Sequence, residues 1–94
     1  MVFSWLDARE EIEFGKDLAH FLAERLPPIA HLSEAKQKEL FPKFAKKIHV
    51  FTAGRKINMF KKAKLANAFR WQLHDIGFEN NFVDQVTKEL LLHI

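Results

Sequence analysis

Apolar residues recur along this chain at spacings of three and four, and no segment alternates apolar and polar residues long enough to argue a strand. The pattern predicts an all-α protein, a small single-domain bundle of four to five helices. The first helix reads from Ser4 to Arg25. Projected at about 100° per residue, Trp5, Ala8, Ile12, Phe14, Leu18, Ala19, Phe21 and Leu22 fall on one broad side. Arg9, Glu10, Glu13, Lys16, Asp17, His20 and Glu24 fall on the other. Ser4 and Asp7 match a capping box, with Asp in place of the usual Glu. Pro27-Pro28 force the helix to end, because a residue before proline is pushed out of the helical region.

Ser33 is a favourable N-cap for the next helix, and Glu34 sits beside the positive end of its dipole. Pro42 then interrupts. Inside a helix it removes a hydrogen bond and clashes with the carbonyl of Lys38, at a cost of about 3 kcal/mol, whereas in a first turn it costs little. The expectation is a short helix over 34–41 and another over 42–53, with one kinked helix as the alternative. Phe41, Phe44, Ile48 and Phe51 form a stripe there, and Lys43, Lys46 and Lys47 lie off it. Gly54 reads as a turn. A long helix over 57–76 places Met59, Leu65, Ala66, Phe69, Leu73 and Ile76 on one side and Phe60 and Trp71 on another. Two apolar sides need two sets of neighbours, so this helix is either central or in contact with another subunit. Gly77 ends it, with Phe78 folding back on Leu73. Asn81 with Asp84 is expected to cap the last helix, over 81–93, which buries Phe82, Val83, Val86, Leu90, Leu91 and Ile94.

Composition narrows this picture. Ninety-four residues, 48% of them apolar, make one domain with a packed core, although a chain this short buries only about 60–65% of its unfolded surface. There is no cysteine, which excludes disulfides and thiolate metal sites and fits a reducing compartment. No uncharged apolar run approaches the roughly 18–20 residues of a membrane span. The opening MVFSWLDAREE turns acidic at once and does not read as a signal peptide. A cytoplasmic, soluble protein is the expectation.

Charge changes the picture most. The net charge of +3 conceals a segregation. Residues 1–34 carry a net of −4, residues 40–74 a net of +9, and residues 75–94 a net of −3. The middle stretch holds Lys43, Lys46, Lys47, Arg55, Lys56, Lys61, Lys62, Lys64 and Arg70 with no acid between them. Arg55, Lys56, Lys61 and Lys62 crowd the start of the long helix, where positive charge opposes the dipole by about 0.3–1 kcal/mol per residue. Such a surface calls for anions. Its own acids (Glu10, Glu13, Asp17 and Glu24, from the same chain or a second copy) are one source. Nucleic acid is another, and an anionic membrane surface is a third. The expectation is a non-enzymatic helical interaction or oligomerisation module. It would use the basic 43–70 surface, with Phe60 and Trp71 in the contact and a second copy or an acidic protein as partner. The alternative is low-specificity nucleic-acid binding through the same lysines and Arg55.

Candidate chemistry is sparse. Two Ser, two Thr and no Cys or Tyr are available. There is no GxSxG elbow, and Gly15, Gly54 and Gly77 are too far apart for a phosphate-cradling loop. No two of the five histidines lie three or four residues apart, so no helix alone offers a two-histidine metal face. Glu13, Asp17, His20 and Glu24 line one helix face, and Glu89 pairs with His93, but the first row lies on a polar side and reads as a solvated acidic surface. No catalytic constellation, cofactor or metal is expected.

Overall fold

The computed structural model describes residues 7–26 and 33–94. It is a small all-α bundle of four helices, with no strand among the described residues. The helices are α1 (Arg9–Ala23), α2 (Glu34–Thr52), α3 (Met59–Ile76) and α4 (Asn80–His93).

The helix ends show which local signals operated. Ser33 caps α2 as expected, its Oγ accepting from the Lys36 N–H at 3.3 Å. Asn58 caps α3, its side chain accepting from the Lys61 N–H at 2.8 Å, so α3 starts two residues later than the pattern suggested. Such caps contribute about 1 kcal/mol each. Gly77 takes the left-handed conformation at φ 113°. The Phe78 N–H donates to the Leu73 carbonyl and the Gly77 N–H to that of His74, at 3.1 and 3.0 Å. This is the Schellman ending, and both Leu73 and Phe78 are buried.

Three further features differ from expectation. The proposed cap Ser4 and the core candidate Trp5 lie outside the described residues. Asp7 and Ala8 are non-helical, so the helix begins at Arg9 instead of Ser4. There Asp7 accepts from the Arg9 N–H at 3.2 Å. The last helix starts at Asn80, after Glu79, with no side-chain cap; Asp84 is turned elsewhere.

The third difference is Pro42, which sits inside an unbroken α2. No break follows because Leu40, Phe44 and Ile48, four residues apart on either side of it, are all buried on one face. Burying three such side chains contributes about 1.5–3 kcal/mol each, more than the roughly 3 kcal/mol that the proline costs. Pro42 itself is exposed, and so is Lys38, the residue whose carbonyl loses its donor.

Gly15 of α1 meets α3 at close range. A Cβ there would lie 2.5 Å from the Leu65 carbonyl oxygen and 3.1 Å from both the Ala68 Cβ and the Phe69 nitrogen. Only glycine lets the two backbones approach so closely. Asp7 neighbours Lys61 and Lys16 neighbours Gln72 and Asp75, so α1 and α3 run in the same direction. α2 returns antiparallel to α1. Phe14 stacks on Phe51 with centroids 4.0 Å apart, and Lys47 reaches over the Phe21 ring. α4 folds back on α3 through Gly77 and runs beside α2 in the same sense. Phe44 and Phe69 meet at the centre, 5.8 Å apart. Leu18, Leu22, Leu65, Leu73, Val83, Val86 and Leu90 complete the core. Thr87 joins it by donating to the Val83 carbonyl at 2.6 Å, and the side of Glu11 is buried as well. Met59 and Leu91, expected inside, are 83% and 52% exposed.

Candidate interaction surface

The basic stretch is divided by the fold. Lys43, Lys46 and Lys47 project from α2, with Lys47 near Phe21 at the end of α1. Arg55 and Lys61 lie near Asp7 and Glu10 at its beginning, and Lys56 and Lys62 are their neighbours in sequence. Phe21 is fourteen residues beyond Asp7, about 20 Å along a helix. That is more than two Debye lengths at physiological salt, so the two groups do not act as one patch.

Part of the counter-charge comes from within the chain. The Arg55 guanidinium lies 2.9 Å from Glu10 and stacks over the Phe51 ring at 4.1 Å. Arg70 pairs with Asp84 at 2.9 Å, joining α3 to α4; this is where the expected cap residue has gone. The Asp7 carboxyl is lowered to about 2, chiefly by the hydrogen bond from the Arg9 side chain, then by the Arg9 N–H, with Lys61 adding a smaller attraction. Of the other acids expected to serve the basic stretch, Glu13 and Asp17 line one hollow with Arg55, Glu13 also lies near Lys16, and Glu24 lies near Arg25. Such exposed pairs contribute about 0–1 kcal/mol each. Among the described residues, Lys43, Lys46, Lys47, Lys56, Lys62 and Lys64 make no ion pair.

The second apolar side of α3 is left uncovered. Trp71 is 68% exposed and Phe60 37% exposed. Phe60, Lys64, Trp71 and Asp75 fall on one stripe of the helix by their spacing of four, seven and four. The Lys64 ammonium lies 5.4 Å from the centre of the Phe60 ring, within cation–π range. Trp71 stands between two hollows. One runs along the α1–α3 seam and is lined by Ile12, Lys16, Lys64, Ala68 and Asp75. The other is lined by Asn67, Arg70 and His74. The first hollow therefore has Lys64 toward one end, Asp75 with Lys16 toward the other, and Ala68 between them.

The histidines behave differently from their spacing. The row Glu13, Asp17, His20 and Glu24 is exposed along α1, and among the described residues no three metal-ligating side chains converge. Glu89 and His93 do meet, at 3.2 Å. His93 in turn meets His49 of α2, with Nδ1 and Nε2 3.0 Å apart. Forty-four residues separate the two histidines, so no local motif announces the pair. No helix among the described residues is long and apolar enough to cross a membrane. No family model, curated protein or solved structure matches this chain.

Proposed function

We propose that this chain is a non-enzymatic helical interaction module that self-associates through the outer stripe of α3. The observation that supports this reading is the exposed indole of Trp71 beside a hollow of complementary make-up. Burying a tryptophan removes 150–250 Å² from water, worth about 4–6 kcal/mol before the costs of association. Tryptophan is also a typical anchor of interfaces. A second copy fits the stripe antiparallel about a two-fold axis near position 69–70. Lys64 and Asp75 lie equally far from that axis, about 8 Å along the helix. Each Lys64 then faces Asp75 of the other copy, and each Trp71 enters the other's hollow at Ala68. An isologous contact of this kind closes on itself. It is small, so the association is weak and salt-sensitive. The absence of cysteine fits a reducing setting such as the cytoplasm.

The test is a charge swap read by mass in solution over a series of concentrations. Lys64→Glu and Asp75→Lys each weaken the dimer, and the double variant restores it. Trp71→Ala abolishes it with the fold intact. A wild-type chain that stays monomeric throughout defeats the reading.

The second reading, low-specificity nucleic-acid binding, has its own support. Lys36, Lys43 and Lys47 share one exposed stripe of α2, with Lys46 beside it, a row suited to phosphates. Titration of labelled DNA and RNA at two salt concentrations separates the readings. Binding that fades with salt and falls on Lys43→Glu/Lys47→Glu favours nucleic acid.

A further inference from the structure

We propose that the paired ends of α2 and α4 form a binding site for a divalent transition-metal ion, held by His49 Nε2 and His93 Nδ1. Four observations converge there. First, the two nitrogens face each other at 3.0 Å from different helices, with the rings crossing at 70°. Two imidazole nitrogens bound to one ion at about 2.0–2.1 Å stand about 2.9 Å apart in a right-angled arrangement and about 3.3 Å apart in a tetrahedral one. The observed spacing lies between these, so a shift of a few tenths of an ångström accommodates either.

Second, the far nitrogen of His93 is already engaged. Its Nε2 donates to Glu89 Oε2 at 3.2 Å, which leaves the Nδ1 lone pair pointing at His49. A carboxylate on the distal nitrogen is the usual support of a metal-bound histidine, fixing its tautomer and raising its basicity. Third, His49 and His93 each occupy the last turn of their helix. α2 and α4 run in the same sense, so two negative dipole ends meet at the pair and favour a cation. Fourth, the His49 side is open to solvent, which gives the ion a path and lets water fill the remaining positions.

In the metal-free protein one proton bridges the two nitrogens. On binding, that proton moves from His49 Nε2 to its Nδ1, a change of tautomer, and the ion takes the freed Nε2 lone pair together with that of His93 Nδ1. Imidazole donors select Zn²⁺, Ni²⁺ or Cu²⁺ over Mg²⁺ and Ca²⁺. With two protein ligands the site is a modest one.

The experiment is calorimetric titration of the full chain with Zn²⁺, and separately with Mg²⁺, alongside thermal unfolding. One equivalent of Zn²⁺ is expected to bind, Mg²⁺ not at all. Unfolding is expected to shift upward by roughly 5–10 °C at tenfold excess over Kd. His49→Ala and His93→Ala should each weaken binding at least about tenfold. Glu89→Gln should weaken it about tenfold while leaving both ligands in place. His20→Ala, His74→Ala and Trp71→Ala should bind as the wild type does, which keeps this site separate from the dimer reading. Absence of saturable Zn²⁺ binding overturns the proposal. So does binding that survives loss of both histidines, and so does a stability loss in His49→Ala without any metal effect, since the pair is then a hydrogen bond alone.

Discussion

The inner and outer faces of α3 use similar residues for different ends. Inside, Leu65, Phe69 and Leu73 have no exposed surface and close against α1 and α4. Outside, Phe60 and Trp71 stand in water beside Lys64. Both faces are apolar, so hydrophobicity does not distinguish them. What does is the availability of neighbours: α3 is covered on one side by α1 and on another by α4, and among the described residues no further helix reaches the rest. The outer face is therefore surface that the described helices do not cover, and that is why it is a candidate for a partner.

Substitutions on the two faces should separate stability from association. Phe69→Ala should have the largest effect. It removes a fully buried ring at the Phe44 contact and should cost about 3–5 kcal/mol in urea unfolding. That is a large share of the roughly 5–14 kcal/mol expected for a chain of this size. An unchanged midpoint would mean that the inner face is not the core. Gly15→Ala tests the same face from α1. Alanine improves helix propensity by about 1 kcal/mol, but the clash is with a backbone carbonyl, which no rotamer change relieves. The helices must separate, and a net loss of about 1–3 kcal/mol is expected. A stabilised variant would show that the close approach is not needed.

On the outer face the balance reverses. Trp71→Ala should change unfolding by less than about 0.5 kcal/mol, as surface substitutions do, and should abolish concentration-dependent association. A variant that loses both fold and association would place Trp71 in the core after all. The smallest effect is expected at the start of α1, where Asp7 accepts hydrogen bonds from the Arg9 side chain and lies near Lys61. Its carboxyl titrates below its unfolded value. The charged form therefore favours the folded state at neutral pH, and that contribution is lost as pH falls from about 4 toward 2. Melts of wild type and Asp7→Asn should differ slightly at pH 7 and converge near pH 2. A gap that persists at low pH would assign the difference to something other than this charge.

Much of the fold was legible from residues alone. The amphipathic spacing placed the helices, Ser33 and Gly77 marked an entry and an exit, and Phe44, Ile48, Phe69 and Leu73 were readable as core. The outward Phe60 and Trp71 were readable too, because they broke the single-sided pattern of α3. These are local properties, set by backbone geometry and by side chains within a turn or two of one another.

Three features needed the assembled molecule. Pro42 reads as a break because its cost is local, whereas the burial of Leu40, Phe44 and Ile48 that outweighs it depends on the other helices. The nine bases read as one block because they are contiguous in sequence, yet the turn at Gly54 sends α3 to the far end of α1 from the α2 lysines. The meeting of His49 with His93, and of Arg70 with Asp84, follows from which helix lies beside which. Linear spacing encodes each helix's own faces; it does not encode the neighbour that each face will find.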